Sequence, residues 1–119
     1  MRRVRLGSTD LEVSAIAYGG MSLTPERARE GARAGATAFE LGVNFFDTAD
    51  IYSRGEAETL LGRALRDAGI GREQVIIASK CGIVFPGMEP TLTHKAYDLS
   101  PGYVKKSCEA SLQRLGMDY

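Results

Sequence analysis

The 119-residue chain has no tryptophan, one histidine (His94) and two cysteines, Cys81 and Cys108. Two cysteines are too few to staple a secreted scaffold, and no metal-type spacing joins them to His94. Neither a disulfide framework nor a metal site is expected, and the thiols read as reduced in a cytoplasmic protein. Excess charge of either sign is also missing: 15 basic and 15 acidic side chains give a net charge of zero. That balance argues against a protein that lives by binding nucleic acid. No run approaches the roughly 18 apolar residues of a membrane span. The basic opening Met1-Arg2-Arg3-Val4-Arg5 is not followed by the apolar stretch of a secretory signal. Gly19-Gly20 is not part of a Gly-x-Gly-x-x-Gly run, so the dinucleotide fingerprint of a Rossmann fold is absent too. What remains is an ordinary globular composition, 44% hydrophobic and 25% charged.

The pattern along the chain alternates. Residues 4–6 and 11–13 are short alternating runs around Gly7-Ser8-Thr9-Asp10, a small hairpin. Residues 14–18 read as a first buried strand closed by Gly19-Gly20. Thr24-Pro25-Glu26 then opens a helix whose inner face is Ala28, Ala32, Ala36 and Phe39, stopped by Gly42. Residues 43–47 form a second strand. A second helix begins near Ala57 behind a Ser53/Glu56 capping-box pattern, with Leu60, Leu61, Ala64, Leu65 and Ala68 in its apolar stripe and Gly69 at its end. The third strand, 75–80, is nearly continuous in apolar residues, as a strand covered on both faces is. A long loop, 81–99, carries Pro86, Gly87 and Pro90. Ser100-Pro101 opens a third helix with the stripe Val104, Cys108, Leu112 and Leu115, and Gly116 stops it.

A hairpin followed by three strand–helix units implies a parallel sheet with right-handed crossovers. Helices on one side leave the other sheet face bare. A closed eight-stranded TIM (β/α)8 barrel of roughly 250 residues covers such a face, so the α/β pattern reads as the N-terminal part of one. In that architecture Asp47, Tyr52 and Lys80 all fall at the carboxyl ends of strands, where active sites are built. A lysine closing an apolar strand needs a carboxylate partner. A lysine ammonium beside a phenol favours the phenolate over the phenol, which makes the group a proton donor or acceptor for a carbonyl or alcohol oxygen.

The run Gly42-Val43-Asn44-Phe45-Phe46-Asp47-Thr48-Ala49-Asp50-Ile51-Tyr52, continued by Glu56-Ala57-Glu58-Thr59-Leu60-Leu61-Gly62-Arg63-Ala64-Leu65, resembles the aldo-keto reductases. So do Ile76-Ile77-Ala78-Ser79-Lys80-Cys81-Gly82 and Ser111-Leu112-Gln113-Arg114-Leu115-Gly116-Met117-Asp118-Tyr119. The resemblance covers nearly the whole chain in the family's order. It implies a TIM barrel closed at its bottom by an N-terminal hairpin, and reduction of aldehydes or ketones with NADPH, NADH not being excluded. By motif match Asp47, Tyr52 and Lys80 take three of the family's four catalytic places, with the tyrosine protonating the carbonyl oxygen. Gly20 and Met21, with Asp47 and Tyr52, fall at the nicotinamide end of the cofactor. The fourth residue of the family, a histidine on strand four, lies beyond Tyr119, and His94 does not replace it by motif.

The resemblance therefore implies that residues 1–119 are the N-terminal portion of a single barrel domain, inactive alone. Its partner would be a small-molecule carbonyl compound, with neither nucleic acid nor membrane; the oligomeric state is not readable. Two alternatives stand beside it: a non-enzymatic cofactor-binding subunit of the same fold, as the potassium-channel β-subunits are, and a half-barrel that self-associates. Taken singly, Asp47 reads as a turn acid, Tyr52 as a rim residue, Lys80 as a snorkelling lysine, Cys81 as a small packed residue and His94 as a solvated loop residue.

Overall fold

Antiparallel pairing of β1 (Arg3–Arg5) with β2 (Glu12–Ser14) makes the expected hairpin, turned at Gly7 with φ +58°. The computed structural model describes residues 1–86 and 93–119; Gly87 and Pro90 lie outside the described residues. The hairpin is pinned by Asn44: its Oδ1 accepts from the Ser14 amide at 2.7 Å, and its Nδ2 donates to the Glu12 carbonyl at 3.0 Å. Asn44 stands just before β4 (Phe45–Asp47), so the hairpin sits at the amino end of the sheet, away from the strand ends that carry Asp47 and Lys80.

The main sheet is parallel, in the order β3 (Tyr18–Gly19), β4 and β5 (Ile76–Ala78). Register aligns Tyr18, Phe46 and Ile77 in one row and Gly19, Asp47 and Ala78 in the next. The first row faces the helices. Phe46 is fully buried, 5.5 Å from the Tyr18 ring, and shares a core with Leu61, Leu65, Val75 and Leu115. The second row faces the other way, and among the described residues no helix covers it. The molecule is 47 × 37 × 22 Å, and 22 Å is the depth of one sheet and one helix layer, each about 10 Å.

Among the described residues three helices make that layer: α1 (Ala28–Glu40), α2 (Glu56–Asp67) and α3 (Pro101–Leu115). None is long and apolar enough to cross a membrane, among the described residues. In α1, Gly35 is the buried residue and Ala28, Ala32, Ala36 and Phe39 are half-buried, close to the expected face. Gly42 ends it at φ +93°. Ser100 caps α3, its Oγ accepting from the Tyr103 amide at 3.3 Å. Ser100→Ala is expected to cost about 1 kcal/mol, read as a lower urea midpoint at constant slope.

Several sequence expectations are corrected. Residues 14–18 are not one buried strand: Ser14 ends β2 of the hairpin and is buried, Tyr18 begins β3 of the main sheet, and Ile16 between them is 61% exposed. Thr24 makes no side-chain cap; it is followed by a single 3-10 turn, Pro25–Arg27, before α1. The Ser53/Glu56 capping box does not form. Ser53 and Arg54 take left-handed φ of 48° and 55°, which turns the Ser53 hydroxyl away from α2 to donate to the Leu23 carbonyl at 3.3 Å. Ala68 is exposed, lying past the last turn of α2.

The third strand is half-buried rather than covered on both faces, because among the described residues helices cover one face alone. The segment 81–99 is not all loop: β6 (Ile83–Val84) pairs antiparallel with β7 (Ala96–Tyr97). On α3 the buried face is Ser107, Ser111 and Leu115, and Val104 and Cys108 are exposed. Small serines let α3 approach α2 closely, which rotates the apolar stripe one position off the contact.

Candidate active site

Gly19, Asp47 and Ala78 stand side by side in the parallel register, so the backbone just beyond them converges at one edge of the sheet. Hydrogen bonds continue past the strands proper. The Gly20 amide donates to the Asp47 carbonyl at 2.7 Å, the Thr48 amide to Ala78 at 2.8 Å, and the Asp50 amide to Lys80 at 3.0 Å. A Cβ on Gly20 would meet the Asp47 carbonyl at 3.0 Å, so glycine lets β3 close tightly on β4 there. Met21 follows with an exposed side chain.

Lys80 lies two residues past β5 and reaches back across the sheet end. Its Nζ donates to Asp47 Oδ1 at 2.8 Å and to the Thr48 carbonyl at 2.5 Å. The same ammonium lies 5.1 Å from the centroid of the Tyr52 ring. Tyr52 opens a single 3-10 turn, Tyr52–Gly55, its amide donating to the Ala49 carbonyl at 3.2 Å. The structure thus brings Asp47, Tyr52 and Lys80 into one cluster, with Gly20 beside Asp47. His94 is not part of it: the residue is exposed, its Nδ1 3.3 Å from the Thr93 hydroxyl. Among the described residues no group of three His, Cys, Asp or Glu side chains converges on a metal position.

Partial burial acts to lower the Lys80 pKa, but the hydrogen bond and charge of Asp47, with Tyr52 adding to both, outweigh it and hold the group above its ordinary 10.5. Lys80 is therefore an ammonium at neutral pH. A folded-state pKa above the unfolded one gives stability that is fully present below 10.5 and lost as pH rises through the folded value. Lys80→Met is expected to leave the pH dependence of unfolding between pH 6 and 9 unchanged and to flatten it above pH 10.5, as urea titrations at stepped pH would show. Burial, with Asp50 and Cys108 adding, pushes the Cys81 thiol up, against the thiolate form, although it follows Lys80.

Behind the cluster lies a group that the sequence reading did not single out. Glu58 is 0% exposed, and its Oε2 accepts from Arg114 Nε at 2.6 Å while its Oε1 accepts from the Ser79 hydroxyl at 2.5 Å. A signal was there: Glu58 is the one charged residue in the stripe Glu58, Leu61, Gly62, Leu65 on α2. Asp50 is nearby, its carboxyl pushed up by burial and by Glu58 and held back by Arg114. A cavity of about 320 Å³ adjoins this pair, lined by Asp50, Arg54, Val84, Tyr103, Lys106 and Arg114 among others.

A parallel sheet with one helix per strand and a carboxylate, an ammonium and a phenol gathered at its carboxyl edge defines an α/β-barrel protein with a polar rim site. The model of the aldo/keto reductase family matches residues 15–119, and the chain belongs to that family. "Probable aldo-keto reductase 1" of Glycine max is 38% identical over 98% of this chain and 33% of its own length. L-galactose dehydrogenase of Arabidopsis thaliana is 36% identical over 96% of this chain and 34% of its own. Among solved structures, aldo-keto reductase AKR11C1 from Bacillus halodurans in its holo form matches with a TM-score of 0.84 at 37% identity, over 100% of this chain and 38% of that one. Glycerol dehydrogenase AKR11B4 from Gluconobacter oxydans matches with a TM-score of 0.76 at 29% identity, over 97% of this chain and 36% of that one. The chain spans about a third of the length of the curated relatives it matches. The fold is accordingly part of a TIM barrel, as the alternation of strands and helices implies.

Proposed function

We propose that the protein carrying these residues is an NADPH-dependent oxidoreductase that reduces an aldehyde or ketone to the alcohol, with residues 1–119 forming the N-terminal portion of its barrel domain. The observation that carries this is the Lys80 ammonium, 2.8 Å from Asp47 and 5.1 Å from the Tyr52 ring centroid. Relatives named as reductases and as L-galactose and glycerol dehydrogenases support a reaction between a carbonyl and an alcohol.

The residues present fit the reactive end of a nicotinamide cofactor. A flat ring needs an open, partly apolar surface beside the proton donor. Exposed Met21, just past β3 on the Asp47 side of the sheet edge, offers one. When bound, the cofactor supplies hydride to the carbonyl carbon. The protein's part is the proton. Tyr52 gives its hydroxyl proton to the carbonyl oxygen, and the Lys80 ammonium stabilises the phenolate left behind. Asp47 holds Lys80 by its 2.8 Å bond and keeps the ammonium from swinging out to solvent. Gly20, Met21, Asp47 and Tyr52 are the residues that would border the ring, and NADPH rather than NADH is the expected donor. The partner is a small carbonyl compound in the cytoplasm, where both cysteines stay free thiols. The test is consumption of NADPH by the complete protein over a panel of aldehydes and ketones, with and without the Tyr52 hydroxyl.

A further inference from the structure

We propose that Glu58 and Arg114 are positioning residues for this site: the buried pair sets Lys80 through Ser79 and the Tyr52 turn through Gly55. The inference rests on the proton-transfer roles proposed above for Tyr52 and Lys80.

Packing does not ask for a charge at position 58. Glu58 lies in the apolar stripe of α2 with Leu61 and Leu65, and an apolar residue there would simply extend the core. Buried ion pairs are often no better for stability than apolar groups of the same volume. Its carboxylate nevertheless has both oxygens engaged, one on Arg114 Nε and one on the Ser79 hydroxyl.

Ser79 stands between the last residue of β5 and Lys80. Successive side chains on extended backbone point to opposite faces. A Ser79 hydroxyl tied to α2 therefore turns Lys80 to the opposite face of the sheet, where Asp47 stands. The backbone on either side is held as well, the Ala78 carbonyl by the Thr48 amide and the Lys80 carbonyl by the Asp50 amide. The Ser79 tether thus acts together with this ladder, and with the bonds of Nζ to Asp47 and the Thr48 carbonyl, in aiming the Lys80 side chain.

Arg114 serves the other half of the site. Its Cδ lies 2.9 Å from where a Cβ of Gly55 would be, so its stem packs directly on that residue. Gly55, at φ +92°, closes the turn that Tyr52 opens. Arg114 also donates from Nη2 to Ser111 Oγ at 3.2 Å, which fixes the guanidinium on α3. One ion pair thus links α2, α3, the end of β5 and the Tyr52 turn.

The experiment compares Ser79→Ala, Ser79→Thr, Glu58→Gln, Arg114→Lys and Tyr52→Phe in the complete protein. Ser79→Ala and Glu58→Gln are expected to lower kcat for carbonyl reduction about tenfold or more, since misplacing a reacting group by about 1 Å costs up to about a hundredfold. They should shift the pH profile of kcat while NADPH affinity, read by nicotinamide fluorescence, stays within about twofold of the parent. Ser79→Thr, which keeps the hydroxyl, should restore kcat, and Arg114→Lys should fall between. Should Glu58→Gln fail to fold, Ser79→Ala, which removes a single hydroxyl, decides. Unchanged kcat and pH profile in folded Ser79→Ala, with Tyr52→Phe inactive, would overturn the positioning roles and leave the proposed function standing. Full turnover by Tyr52→Phe would overturn the proposed function, and these roles with it.

Discussion

Tyr52→Phe is expected to lower carbonyl reduction by the complete protein about 10²–10⁴-fold, the range for losing one positioned general acid. The change removes the hydroxyl and keeps the ring, so the contact of the Lys80 ammonium with the aromatic face, 5.1 Å from its centroid, is retained. Folding and NADPH binding should accordingly be little altered, and the loss should fall on kcat. Tyr52 is only half-buried and its backbone is held by the Ala49 carbonyl, so the turn keeps its shape when the hydroxyl's interaction with Lys80 is lost. Steady-state kinetics with nicotinamide fluorescence titration would separate the two quantities. A variant that binds NADPH as before yet turns over at the parental rate would remove Tyr52 from the chemistry.

The second large effect is on stability, and its direction is opposite to what helix propensity gives. Gly62 lies in the middle of α2, where alanine is normally better by about 1 kcal/mol. Here a Cβ would stand 2.1 Å from the Leu115 carbonyl oxygen and 2.7 Å from its carbon. Those are backbone atoms of the last turn of α3, which cannot rotate aside as a side chain would. The same carbonyl accepts from Arg66 Nη1 at 2.6 Å, so moving it also breaks a cap. Gly62→Ala must push the two helices apart, and about 3 kcal/mol of destabilisation is expected from such overpacking. Gly102→Ala is the control. Nothing lies within 4 Å of a Cβ at that position in α3, and the substitution should be neutral or stabilise by up to about 1 kcal/mol. The urea midpoint of Gly62→Ala should fall while that of Gly102→Ala holds or rises, and a stabilised Gly62→Ala would mean that the helices do not meet there.

Much of this was legible in the chain alone, and for a definite reason. Periodicity and punctuation report on local backbone, so Gly42, Gly69 and Gly116, all at positive φ, mark where helices end. The Ser100-Pro101 start of α3 was equally plain. Asp47 and Tyr52 fall at one strand–helix junction and Lys80 at the next, and parallel topology brings such junctions to one edge whatever the side chains do.

What the chain did not announce depends on neighbours. The capping-box pattern at Ser53 and Glu56 is locally sound, but a left-handed pair at Ser53 and Arg54 sends the hydroxyl to Leu23, thirty residues earlier. The stripe of Val104 and Cys108 looked like the inner face of α3 because it is apolar. The serines at 107 and 111 were buried instead, since α2 approaches closely and Arg114 must reach Glu58.

By itself, then, the sequence determined the order of the hairpin and the three strand–helix units and the edge at which Asp47, Tyr52 and Lys80 gather, since both follow from local periodicity, while its motifs carried the resemblance to the family. The pairing of Asp47 with Lys80, 33 residues apart, was expected from their places at neighbouring strand ends, whereas only the tertiary structure decided that Glu58 meets Arg114, 56 apart. Hydrogen bonds and ion pairs act over a few ångströms, and along the chain nothing marks partners that only the packing of α2, α3 and the sheet brings within that reach.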